Sequence, residues 1–214
     1  MAIGIKLPTC LLFVLGVTLL GTTGCQDKQE TDYEVKVTPG TPTAPIAAAP
    51  VEGDTIELRV LDQKGIEMLV ESHRGKVVVL DYWSTSCPPC IAEFPNLVAL
   101  DEKYTDDKLV CISVSLDYLG LKKKGPEDYK PEIMLYLEKF KAKFDNIIAA
   151  EDSDTMLAKL KLGSPPAVFV YAASGELAKR FDNESAMSEE EAFTYEDVNK
   201  VVDELMGEGE GAGE

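Results

Sequence analysis

The sequence predicts an α/β domain in which helices flank a central mixed sheet. Short apolar segments rich in β-branched residues alternate with helical segments between residues 51 and 206, and this alternation is typical of strands that pair in parallel. Later, the segment AVFVYAASGELAKRF contains two strands around a Ser-Gly turn, which predicts a hairpin. A domain of roughly 150 residues is large enough to bury a real core.

The elements follow in order along the chain. Strands are predicted in TIELRVL, KVVVLDYW and LVCISVSL, with a short helix in IEMLVES and a longer one from Pro88 to Tyr104 between them. After a loop containing LKKKGPEDYK, helices are predicted over residues 131–143 and in SDTMLAKLKL. A last helix starts at TYED, where Thr194 and Asp197 could form a capping box. Residues 119–150 are interpreted as an insertion before the proline loop.

The N-terminus predicts export. Lys6 precedes the apolar run CLLFVLGVTLLG, and small residues then lead to Cys25, so residues 1–25 have the pattern of a signal peptide with a lipobox-like cysteine. An uncleaved membrane anchor is the alternative. The Pro/Thr/Ala-rich residues 26–50 predict an extended linker, and residues 207–214 an acidic Gly/Glu tail.

These ends place the 51–206 domain in the cell envelope. We expect it to be held to the membrane by a lipid anchor on Cys25 and to face the periplasm or extracytoplasmic space. The formal net charge of −17 argues against a nucleic-acid partner, because such proteins carry basic surfaces.

Three cysteines remain in the predicted domain: Cys87, Cys90 and Cys111. So few thiols do not make a disulfide-stapled scaffold, and the core must hold the fold. Cys111 lies in an apolar strand and is interpreted as an inert core thiol. His73 precedes a basic turn and is predicted at the surface.

The CPPC segment is predicted at the start of a helix, where the helix dipole and unpaired N–H groups stabilise a thiolate. Cys87 is therefore interpreted as the attacking sulfur and Cys90 as the resolving one. Two other interpretations stay open. A metal site would need two more ligands than the pair supplies, and a purely structural disulfide would close too short a loop to gain much entropy.

The segments DYWSTSCPPC, CPPCIAEFP and GSPPAVFVYAASG resemble the thioredoxin fold, and within it the membrane-anchored TlpA/ResA-like thiol-disulfide oxidoreductases. The resemblance spans roughly residues 51–206. It implies reversible dithiol-disulfide exchange on proteins by Cys87 and Cys90, without a cofactor or metal.

The resemblance also implies roles for residues around the pair. Asp81 matches the buried acid that assists proton transfer at the resolving cysteine, and its position after an apolar run suggests a raised pKa. Glu93 matches a residue that tunes thiol acidity. Trp83 matches the tryptophan beside the site and is expected to contribute to substrate binding. Pro95 is expected to kink its helix.

The SPP segment resembles the cis-proline loop that offers its backbone to an extended substrate. Ser164, Pro165 and Pro166 are therefore predicted substrate-binding residues. Pro166 is the predicted cis residue, and Pro165 is the alternative. Ser86 stands where the family commonly has Trp.

These observations lead to the hypothesis of a reductant for exported protein disulfides, such as those met in cytochrome c maturation. The resemblance then implies a membrane thiol electron donor as a second partner. An oxidant or isomerase, and a non-catalytic binding module, are the alternatives. A peroxidase is less compatible with the sequence. Peroxidases of this kind have a proline and a threonine before a single peroxidatic cysteine, whereas Leu80 and Ser84 stand at those positions before Cys87.

Overall fold

The structure of the chain is a computed structural model. It describes residues 55–104, 107–184, 188 and 191–210. Residues 208–210 are described by their backbone only. The predicted signal peptide, Cys25, the linker and the end of the predicted tail lie outside the described residues. Among the described residues, no helix combines the length and apolar character needed to cross a membrane.

Strands and helices alternate as far as the last two strands. The strands are β1 (Leu58–Leu61), β2 (Val77–Trp83), β3 (Leu109–Ser115), β4 (Asp145–Ala149), β5 (Ala167–Tyr171) and β6 (Leu177–Asp182). The helices are α1 (Gln63–Ser72), α2 (Pro88–Lys103), α3 (Lys130–Phe140), α4 (Ser153–Leu160) and α5 (Tyr195–Glu210), and a 3₁₀ turn at Pro126–Tyr129 precedes α3.

The six strands form one mixed sheet in the order β1-β4-β3-β2-β5-β6. The first four strands of that order are parallel, while β5 and β6 are antiparallel to their neighbours. This confirms the predicted α/β class and the hairpin. The chain therefore has a thioredoxin-like fold.

Strand β2 lies inside the sheet, and all seven of its residues are buried. Its side chains alternate between the two faces. Val77, Val79 and Trp83 belong to the core cluster that also contains α2 and α5 residues, and Asp81 shares their alternation. The sequence pattern of β2 thus points one carboxylate into an apolar layer.

Sequence analysis missed β4, a strand of five residues between a Lys-rich helix and an acidic turn. It pairs with β1 on one side and β3 on the other. The segment 119–150, interpreted as an insertion, therefore supplies an internal strand. Helix α3, from the same segment, buries Ile133 and Leu137 completely in the core.

We predict that α3 stabilises the whole domain through Leu137. Replacing Leu137, which is 0% exposed, by Ala removes buried apolar volume and should lower the free energy of unfolding by about 2–5 kcal/mol. Leu135 of the same helix is 67% exposed, so Leu135→Ala should change it by no more than about 0.5 kcal/mol. Urea denaturation of both variants measures the difference, and equal effects would contradict the packing described for α3.

Candidate active site

The cysteine pair lies at the start of α2, as predicted. Cys87 and Cys90 form a disulfide with a Cα–Cα distance of 5.3 Å. Cys87 is the N-cap, and its Sγ lies 3.3 Å from the backbone N of Cys90, which donates to it. Pro88 and Pro89 occupy the first two helical positions, where a missing N–H costs no helical hydrogen bond. The helix continues through Pro95 to Lys103.

Asp117 holds the loop that leads into the pair. Its carboxylate accepts hydrogen bonds from the Thr85 backbone N–H at 2.9 Å and from three hydroxyls, those of Ser84, Thr85 and Ser115. Asp117 is buried, and these donors compensate for its lost hydration. The arrangement fixes the chain between the end of β2 and Cys87.

Asp81 of β2 is buried, with 4% of its surface exposed. The Tyr195 hydroxyl donates to its Oδ2 at 2.5 Å, whereas Oδ1 has no hydrogen-bond partner among the described residues. Burial raises the pKa of Asp81 to about 7; the Tyr195 hydrogen bond opposes this rise, and the nearby charge of Glu93 adds to it. A carboxyl with this pKa can exchange a proton near neutral pH.

Glu93 lies one turn beyond Cys90 and contacts helix α5. Its Oε2 accepts from the backbone N–H of Tyr195 at 3.2 Å and from the side-chain amide of Asn96 at 3.0 Å. Glu93 therefore holds the first residue of α5, the residue whose hydroxyl binds Asp81. Its predicted influence on thiol acidity stays a prediction.

A cavity of about 690 Å³ opens beside Cys90. Asp81 and Glu93 line it together with the start of α2, Pro166, and residues on either side of the start of α5. The other described lining side chains belong to uncharged residue types. The lining residues are Asp81, Pro88, Pro89, Cys90, Ala92, Glu93, Pro166, Val168, Asn183, Ser188, Ala192, Phe193, Thr194 and Tyr195.

The cis peptide bond is Pro165–Pro166, which confirms Pro166 as the cis residue. Pro166 precedes β5 and borders the cavity, so the proline loop and the cysteine pair share one site. Ser164 is exposed next to it. Binding of substrate by Ser164, Pro165 and Pro166 stays a prediction.

Trp83 is a packed core aromatic beside the cysteine pair. Its side chain is 0% exposed and packs on Phe94 of α2, with ring centroids 4.7 Å apart. An aromatic ring buried in this way supports the helix that carries the CPPC segment. Its predicted contribution to substrate binding stays a prediction.

The structure also gives the positions of the Cys111 and His73 side chains. Cys111 is fully buried in β3, with its Sγ 3.9 Å from the Leu97 carbonyl oxygen, in agreement with a core thiol. His73 was predicted at the surface, but its side chain is only 15% exposed and lies 3.6 Å from the Asp145 carboxylate. That carboxylate belongs to β4, the strand missed from the sequence.

Sequence analysis also missed Tyr195 and Asp117. Tyr195 lies in the TYED segment, which was interpreted only as a helix start. A tyrosine hydroxyl gives no sequence signal that its partner, Asp81, lies 114 residues earlier in the chain. Asp117 follows a strand and precedes a loop, the ordinary place for an exposed acid. The run of hydroxyl residues at 84–86 was the one available hint of its donors.

The fold and the site define a thioredoxin-like protein with a redox-active cysteine pair. The chain belongs to the AhpC/TSA family, whose model matches residues 51–180. It is similar to the thiol-disulfide oxidoreductase ResA of Bacillus cereus, with 22% identity over 134 residues that cover 63% of this chain and 70% of the relative. Its identity to ResA of Geobacillus kaustophilus is 27%, over a match that covers 54% of this chain and 60% of that relative.

Similar solved structures include a secreted Mycobacterium tuberculosis disulfide oxidoreductase homologous to E. coli DsbE. The two chains share 20% identity with a TM-score of 0.46, over 62% of this chain and 84% of the other. The family and the curated relatives confirm the resemblance proposed from the sequence. The protein is a thioredoxin-type thiol-disulfide oxidoreductase.

We predict that Asp81 makes stability depend on pH. Because its folded pKa of about 7 exceeds the ordinary value of 3.8, the folded state binds the Asp81 proton more tightly, and the free energy of unfolding falls as pH rises from about 4 to 7. The full loss is on the order of 4 kcal/mol. Asp81→Asn removes this loss, so the variant should gain stability relative to the parent as pH rises.

Urea denaturation of the two oxidised proteins between pH 4.5 and 8.5 measures this effect, since the disulfide keeps both thiols from titrating. Other acids titrate equally in parent and variant and cancel in the difference. A constant difference across this pH range would show that Asp81 is not a buried acid with a raised pKa.

Proposed function

We propose that the protein reduces disulfides of exported proteins while tethered to the outer side of a membrane by lipidated Cys25. In this proposal a membrane thiol donor restores the dithiol after each turnover. Apocytochrome c before haem attachment is a substrate of the expected kind. The relatives named ResA support thiol-disulfide exchange in general, and the direction of exchange rests on the charges around the pair.

The observation that carries the reductant proposal is the pair of carboxylates beside Cys90. Asp81 and Glu93 line its cavity, and no Lys, Arg or His is present among the described lining residues. Negative charge disfavours a nearby thiolate, so the two carboxylates oppose the stabilisation that the start of α2 gives to a thiolate. The less the reduced form is stabilised, the lower the reduction potential of the pair and the more readily it donates electrons.

The same site supports a complete exchange. The Cys87 thiolate attacks a substrate disulfide, one substrate sulfur leaves and takes a proton, and a mixed disulfide forms. The Cys90 thiol then gives its proton to the Asp81 carboxylate and attacks Cys87 Sγ. The mixed disulfide breaks, the second substrate sulfur is protonated, and the Cys87–Cys90 disulfide forms. The substrate gains the two electrons that the protein dithiol loses.

The substrate would enter along the proline loop. Ser164 is exposed beside the cis bond, and an extended peptide there could use main-chain hydrogen bonds of the loop. Ser86 is exposed next to Cys87 and is small, which leaves room on that side of the attacking sulfur.

We predict a reduction potential near or below about −250 mV for the Cys87–Cys90 couple, the range of thioredoxin-like reductants. The full-length protein is equilibrated in dithiothreitol buffers, quenched with acid and alkylated. Tryptic cleavage after Lys76 and Lys103 gives a peptide that contains both cysteines of the pair and no other, so its mass reports this couple alone.

A potential above about −180 mV would make the protein an oxidant or isomerase, and the absence of a two-electron couple would favour a non-catalytic module. As a matched control, Cys87→Ser should abolish reduction of a protein disulfide. Cys111→Ala, which changes the buried thiol of β3, should retain it. Retained activity in Cys87→Ser would contradict the mechanism.

A further inference from the structure

Tyr195 joins two carboxylates that come from different elements. Its hydroxyl donates to Asp81 Oδ2 of β2 at 2.5 Å, and its backbone N–H donates to Glu93 Oε2 of α2 at 3.2 Å. The side chain is 2% exposed. One residue thus connects the start of α5 to the central strand and to the helix that carries the cysteine pair.

The position of Tyr195 is fixed by its main chain as well as by its side chain. As the first residue of α5, it has an N–H without an intrahelical partner, and Glu93 supplies the acceptor. The preceding residue, Thr194, donates its N–H to the Asp197 carboxylate at 3.2 Å, which is half of the predicted capping box. The backbone N–H groups of Tyr195 and of the residue before it are therefore both hydrogen-bonded to carboxylates, which fixes the backbone from which the Tyr195 hydroxyl extends.

This contact makes the two oxygens of Asp81 inequivalent. Oδ2 is occupied by the Tyr195 hydroxyl, while Oδ1 is buried without a hydrogen-bond partner in the described part of the chain. An unpaired buried carboxylate oxygen is costly and is the atom left to accept a proton. Asp81 and Cys90 line the same cavity.

We propose that Tyr195 is a positioning residue for proton transfer from Cys90 to Asp81, and that Glu93 acts on the reaction by holding Tyr195 in place. The proposal rests on the exchange mechanism proposed above and adds a residue outside the CPPC and proline-loop motifs. Tyr195 orients Asp81 so that Oδ1 accepts the proton, and it donates to the carboxylate form.

The pH dependence of the resolving step gives the readout. Cys90 attack needs Asp81 as a carboxylate, so its rate should rise with pH through the Asp81 pKa. Among the described residues, the titratable groups near Asp81 are Cys90 and Glu93 of α2 and Tyr195 of α5. The Cys111 thiol of β3 interacts electrostatically with Tyr195. The Tyr195 hydroxyl lowers the pKa of Asp81, so its loss should move the profile to higher pH.

We predict that Tyr195→Phe shifts the midpoint of this profile upward by about one pH unit or more, since a hydrogen bond to a charged group is lost. The reduced full-length protein is mixed with excess oxidised glutathione, quenched with acid and alkylated. The mass of the peptide between Lys76 and Lys103 then separates the dithiol, the glutathione mixed disulfide and the internal disulfide. Only the pH profile for conversion of the mixed disulfide to the internal disulfide should shift.

Tyr104→Phe is the matched control. Tyr104 also donates its hydroxyl to an aspartate, Asp203, but on the surface and away from the site. Its profile should overlay that of the parent protein. If Tyr195→Phe folds and its profile also overlays the parent, the proposal is wrong.

A second pair of variants decides the matter even if Tyr195→Phe does not fold. Glu93→Gln and Glu93→Ala both remove the charge, but only Gln keeps an acceptor for the Tyr195 N–H. The Ala profile should therefore lie at higher pH than the Gln profile, and coincident profiles would overturn the proposal. Exchange with glutathione proceeds whatever the physiological direction, so a high reduction potential would contradict the reductant function without deciding the role of Tyr195.

Discussion

The hydrogen bond from the Tyr195 hydroxyl to Asp81 joins helix α5 to strand β2 at the cavity that Cys90 also lines. A carboxylate at the centre of an apolar layer is costly to desolvate, and the protein keeps it by protonating it near neutral pH and giving it one strong donor. This contact orients the buried acid and holds the start of α5, and both residues line the cavity beside Cys90.

The sheet explains why that contact can exist. Strand β2 is buried along its whole length, and the alternation of its side chains places Asp81 on the face covered by α2 and α5. The next element after β2 is the loop fixed by Asp117, and then the helix start that carries Cys87. The two buried aspartates near the pair differ in their hydrogen bonds. Asp117 accepts from several donors and anchors the loop, whereas one oxygen of Asp81 has no partner among the described residues.

Local signals were sufficient for most of the fold and for the core of the site. The apolar run before Asp81 and the two prolines after Cys87 specify their structure within a few residues, so the strand and the helix start could be predicted. The cis bond at Pro166 was predicted from the resemblance of the SPP segment to a known proline loop. Strand β4 could not, because its five residues are recognisable only from the partners on either side. The complete burial of Trp83 could not be predicted either, because proximity in sequence to Cys87 does not reveal whether its ring faces the core or the surface. Tyr195 was missed because its role depends on a contact between distant parts of the chain.

The most direct test is the titration of the Asp81 carboxyl in the oxidised full-length protein by carboxyl-carbon NMR. The resonance is identified by its absence in Asp81→Asn, and the disulfide removes the thiols as competing groups. We expect a midpoint at about 7, because burial raises the pKa of Asp81 more than the Tyr195 hydrogen bond lowers it. A midpoint near the ordinary aspartate value of 3.8 would show that Asp81 is a hydrated carboxylate, and would remove the proton acceptor from the proposed mechanism.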